Sequence, residues 1–238
     1  MPSERSYPDR HARAMLMQTT LAGFSPAFAP ADASLSAANF LTFCGLVEAA
    51  NDAAGNSLGA WRVVVEERQE MVKTMKATTT RVLAYLKSSA AFAGRLKTAT
   101  AAANKLRGVT PKKPKAPAEP PPGEPAKSRN SGNQSYGDIA QYFKALIVSV
   151  TGLAGYAPAP VGNPITLSNL SGTLSNYRSK NEAILPMEVT WRDKVGDRAL
   201  IFDGKNGLRD KMTAVKNAVK AQYGQSSPEY GDVKGIKL

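Results

Sequence analysis

The chain has 238 residues, 42% of them hydrophobic, which is enough to build one or two domains with real cores. Lys and Arg outnumber Asp and Glu by 31 to 19, and the resulting charge of +12 favours acidic partners (nucleic acid, an anionic membrane, an acidic protein) without choosing among them. A single cysteine, Cys44, and a single histidine, His11, exclude an intramolecular disulfide framework and a zinc site built from several Cys or His ligands.

The first residues mix acids and prolines and lack a clean apolar core, so no secretory signal is expected. The apolar stretch 145–150 is too short for a membrane span, and a cytoplasmic protein is the default expectation. A weak amphipathic helix is predicted over 9–20. It leads into Leu21-Ala22-Gly23-Phe24-Ser25-Pro26-Ala27 and an extended connection over 24–34. From Phe40 onward, Cys44, Val47, Asn51, Ala54, Leu58, Trp61, Val65, Arg68, Val72, Met75, Thr79, Val82 and Leu86 follow alternating steps of three and four, the spacing of one helical face. Gly55-Asn56-Ser57 predicts a kink or short loop within that run, and Ser88-Ser89 a turn. A returning helix follows over 91–107, closed by Gly108. Residues 109–135 carry Pro-Lys-Lys-Pro-Lys and a second proline cluster, and read as an extended polyproline-like spacer.

Beyond the spacer the same elements recur in the same order. A strongly amphipathic helix over 137–152 precedes Leu153-Ala154-Gly155-Tyr156-Ala157-Pro158-Ala159 and an extended segment over 156–166. Leu170, Leu174, Tyr177, Asn181, Ile184, Glu188, Trp191, Val195, Arg198 and Phe202 then repeat the helical face. Leu185-Pro186-Met187 predicts a kink or short loop where the first copy has Gly55-Asn56-Ser57. The turn 203–207, a returning helix over 208–223 and Gly224 complete the copy. Both tryptophans fall in one motif, Trp-Arg-x-x-Val-x-x-Arg, at Trp61 and Trp191. Phe92, Leu96, Ala99 and Ala103 fall on Leu208, Met212, Val215 and Val219. The second copy is 14 residues shorter between its tryptophan and its last helix. The tail from Gln225 reads as a loop and a short apolar anchor at Val233, Ile236 and Leu238. The expected fold is therefore all-α: internally duplicated helical-hairpin units packed as a helix bundle, with an extended proline-rich linker and tails. The expected domains are 1–108, the linker 109–135, and 136–238.

Few residues suggest chemistry. No phosphate-binding loop occurs, and Asp203, Lys205, Asn206 and Asp210 lack calcium-loop spacing. Asp193 and Asp197 stand among Arg192, Lys194 and Arg198 as a surface salt-bridge face. Glu48, Glu182 and Glu188 lack the Glu-x-x-His pairing of di-iron bundles. Cys44 sits on the apolar seam as a structural thiol. No catalytic residue, cofactor or metal is expected. The matched polar pairs Asn51/Asn181 and Arg68/Arg198 either form a polar network that fixes helix register or drift toward water as the helix winds. Trp61 and Trp191 are expected as core anchors, with base stacking the sharper alternative. Charge counted by segment is diffuse: 1–34 is neutral, 35–108 carries +5, 109–135 carries +3, and 136–238 carries +4. The leading expectation is a non-enzymatic structural protein whose partner is itself, as a homo-oligomer or filament held through its arms and repeated surfaces. The alternative is non-specific binding to nucleic acid or another polyanion.

Overall fold

The computed structural model describes residues 6–109, 135–159 and 162–237, so all but the end residues of the linker lie outside the described residues. Regular structure within them is helical: α1 Ser6–Ala22, α2 Ala37–Lys87, α3 Ala93–Arg107, α4 Tyr136–Val150, α5 Leu167–Asp203, α6 Leu208–Tyr223 and α7 Pro228–Lys234. Single 3-10 turns at Ala33–Leu35 and Ala90–Phe92 introduce α2 and α3, and no strand occurs among the described residues. No helix among them is long and apolar enough to cross a membrane.

The three-and-four spacing gives α2, 51 residues long, about 76 Å at 1.5 Å per residue. The expected loop at 55–57 does not form, and α2 passes through it unbroken. A glycine within a helix costs only about 1 kcal/mol, and Ser57 turns its hydroxyl back onto the Ala53 carbonyl at 2.7 Å instead of opening the chain. No loop forms at 185–187 either, since α5 runs through Pro186. An isolated helix would lose about 3 kcal/mol at such a proline. Here the packed face at Arg198 and Phe202 lies further along the same helix, and burial of that face outweighs the lost amide donor. Trp61 and Trp191 each stand 24 residues beyond their helix starts, whereas α2 continues 26 residues past its tryptophan and α5 only 12. The 14-residue difference thus lies within one helix. It equals two heptads, about 40° short of four whole turns, so the apolar face shifts only modestly around the helix.

The chain forms two compact units. The first comprises Met1–Arg62 and Leu185–Leu238. Its core joins Tyr7, Met17 and Leu21 of α1 to Phe40, Cys44 and Val47 of α2, and these to Phe202 of α5 and Leu208, Met212, Val215 and Val219 of α6. Segments expected to reach outward are folded into it: Phe28 of the N-terminal arm and Val233 and Ile236 of the C-terminal tail are all buried there. Arg10 of α1 makes a bidentate contact with Asp203 at the end of α5, at 2.6 and 3.0 Å. Arg13 Nη1 donates to the Lys237 carbonyl at 2.6 Å, Lys216 Nζ to the Ile236 carbonyl, and Tyr223 Oη to the Pro26 carbonyl at 2.6 Å.

The second unit comprises Val63–Ile184. Met75, Val82 and Leu86 of α2, Ala99, Ala103 and Leu106 of α3, Ile139, Phe143 and Leu146 of α4, and Leu170, Leu174 and Tyr177 of α5 form its core. A capping box at Ser135 and Asp138 starts α4, and Gly108, at φ 75°, ends α3 in the left-handed conformation that glycine adopts without strain. Neither core follows the 1–108 and 136–238 division. Each takes helices from both stretches.

Candidate functional site

Cys44 is fully buried, and desolvation pushes its thiol up to about 11, so the nucleophilic thiolate is scarce at neutral pH. His11 lies within α1, half-buried, with Nε2 lacking a hydrogen-bond partner. No group of three or more His, Cys, Asp or Glu side chains that could hold a metal occurs among the described residues. In the turn 203–207, Asp203 binds Arg10 and Asp210 accepts the Asn206 amide at 3.0 Å. An open cleft of about 380 Å³ beside that turn is lined by Asp32, Ser34, Asn206, Asp210 and Lys211. Asp32 already caps the Ala33–Leu35 turn, and its hydrogen bonds to Ser34 hold its carboxyl below the usual range. The salt-bridge face on α5 is formed by Arg192 with Glu188 at 2.5 Å and Lys194 with Asp197 at 3.1 Å.

The residues singled out along the long helices have definite places. In the first unit, Trp61 and Trp191 stack on each other, with ring centroids 5.3 Å apart and planes 9° from parallel. Both are half-buried, and both indole Nε1 atoms are buried without a hydrogen-bond partner. Each ring therefore covers one face of the other. Arg198 is 3% exposed, and its guanidinium lies 4.2 Å from the centre of the Tyr7 ring. Asn51 is half-buried on α2.

In the second unit, Arg68 donates through Nη1 to Asn181 Oδ1 at 3.3 Å, and its guanidinium sits 3.3 Å from the centre of the Tyr136 ring. Lys180 and Glu67 form an ion pair at 2.6 Å one residue away on each helix. Tyr177 Oη donates to the Tyr136 carbonyl at 2.7 Å, and burial pushes its phenol up to about 12. Arg68 and Arg198 thus each cover a tyrosine at the start of α4 or α1. Sequence spacing placed both arginines on the seam but offered no sign of their aromatic partners, because Tyr7 and Tyr136 lie outside the matched motifs.

Charge is the feature that counting along the chain obscured. Residues 63–184 hold 17 Lys and Arg against 7 Asp and Glu, a net of +10. The remaining stretches, 1–62 and 185–238, hold 14 against 12, a net of +2. Within the second unit, residues 71–107 carry Lys73, Lys76, Arg81 and Lys87 on α2 and Arg95, Lys97, Lys105 and Arg107 on α3, with no Asp or Glu between them. The segment count of +5 for 35–108 averaged this basic run with Glu48, Asp52, Glu66, Glu67 and Glu70. A shorter window would have found it.

No family model, no curated protein and no solved structure matches the chain.

Proposed function

We propose that the chain is a structural, non-enzymatic protein, made of one helical unit written twice and able to assemble with copies of itself by exchanging halves. One observation carries this reading: each core is completed by residues from both copies, and matched residues take matched roles. In the first unit Phe40, Cys44 and Val47 share a core with Leu208, Met212, Val215 and Val219. In the second, Leu170, Leu174 and Tyr177, their counterparts, share a core with Phe92, Ala99 and Ala103. Trp61 stacking on Trp191 is a residue meeting its own counterpart, as happens near the axis of an isologous dimer.

A half of one chain finds the same complementary surface on the other half of a neighbouring chain. Reciprocal exchange closes a dimer, and onward exchange builds a filament. The folded-in arms then serve to complete the first core, and the joined halves are the assembling parts. Light scattering after refolding at increasing concentration tests this. Species of two or more chains are expected to grow with concentration, and a monomer at every concentration contradicts the proposal.

A further inference from the structure

We propose that the α2–α3 face of the second unit binds duplex nucleic acid through its phosphates, without reading sequence. Lys73, Lys76 and Lys87 lie within about 60° of one another around α2 at 100° per residue, with Thr80 between them. The buried residues Thr78, Met75, Val82, Leu86, Thr79 and Leu83 fill the neighbouring arc of α2, so the lysines stand along the solvent edge of its packed face. The lysine run covers about 21 Å of helix, close to six base-pair steps of 3.4 Å.

A second helix joins this face. Arg107, at the end of α3, donates through Nη2 to Thr80 Oγ1 at 2.7 Å, while Thr80 Oγ1 itself bonds back to the Lys76 carbonyl at 3.1 Å. Arg81 is directed to an amide oxygen, Asn163 Oδ1, at 3.3 Å. Lys73 is paired with Glu70 at an exposed site. Among the described residues no carboxylate forms an ion pair with Lys76, Arg81, Lys87, Arg95, Lys97 or Arg107. The described residues of this unit hold 12 Lys and Arg against 5 Asp and Glu, a net of +7, whereas those of the first unit hold 13 against 11, so the second unit carries the field that attracts a polyanion.

The rest of the face selects the kind of polyanion. None of the large hydrophobic residues exposed on the chain lies between 71 and 107, so the face has nothing to insert below lipid headgroups. Its aromatics, Tyr85 and Phe92, stack on each other at 5.8 Å instead of forming an exposed platform for unpaired bases. Cations and a threonine hydroxyl without apolar or aromatic anchors match the phosphates of a duplex.

The test uses the full chain, a 20-base-pair DNA duplex of arbitrary sequence, and fluorescence anisotropy across a salt series. Wild type is expected to bind at 50 mM salt with a steep salt slope. A triple variant Lys73→Gln, Lys76→Gln, Lys87→Gln should bind at least ~10-fold more weakly, with the slope reduced by about 3. A control variant Lys205→Gln, Lys220→Gln, Lys234→Gln removes the same charge from exposed positions of the first unit and should change the slope by less than about 1. Equal losses in the two variants would overturn the assignment to this face. So would failure of the wild type to bind duplex at 50 mM salt while phosphatidylserine vesicles or an acidic protein bind.

Discussion

Trp61 and Trp191 are the chain's only tryptophans, and they stack within 9° of parallel. Coupled indoles at that separation give a near-UV circular dichroism signal that belongs to the pair. Trp61→Phe and Trp191→Phe should each abolish it, and each should destabilise the fold by about 1 kcal/mol, the range of one aromatic pair. Retention of the signal in either variant would contradict the stacked geometry. The Arg10–Asp203 contact makes a second prediction at this scale. Hydrogen bonds from Arg10, which is 8% exposed, hold the Asp203 carboxyl below its ordinary value. A carboxyl depressed in the folded state stabilises the fold above its unfolded value near 4, and that contribution disappears as pH falls through the folded value. Asp203→Asn should therefore cost about 1–2 kcal/mol at pH 7, a modest figure because the carboxylate is partly exposed. It should also flatten the loss of stability below about pH 4, as followed by thermal melts from pH 2 to pH 7.

The helical hairpins close on turns of defined chemistry. Between α5 and α6, a Cβ on Gly204 would run into the Leu200 carbonyl, and one on Gly207 would lie 2.8 Å from the Gly204 carbonyl. Gly204→Ala is expected to cost about 1–3 kcal/mol. Thermal melting reads it directly, and an unchanged midpoint would show that the turn yields. Most elements were legible from local spacing: the seam from Phe40 to Leu86, the turn at 203–207, and the glycines that end α3 and α6 all stand where periodicity and cap residues put them. The unbroken passage through Gly55 and Pro186 was not legible. Local propensity favours a break there, and only the packing of residues far along each helix outweighs it.

Across the whole molecule, the sharing of cores could not be read from self-comparison. Setting Phe40 against Leu170 compares two stretches of sequence, but says nothing of which stretch either residue packs against. The run of eight Lys and Arg without an acid at 71–107 is likewise hidden in a charge count over 35–108, where Glu48, Asp52, Glu66, Glu67 and Glu70 offset it. If both cores are joint products of the two halves, the halves should stay together when the chain between them is cut. A protease site placed within 110–134 and cut after folding tests this most directly. The two fragments should remain together through native size exclusion, eluting at the size of the intact chain and melting in a single transition. Separation into two independently folded monomers, one of residues 1–108 and one of 136–238, would contradict the account.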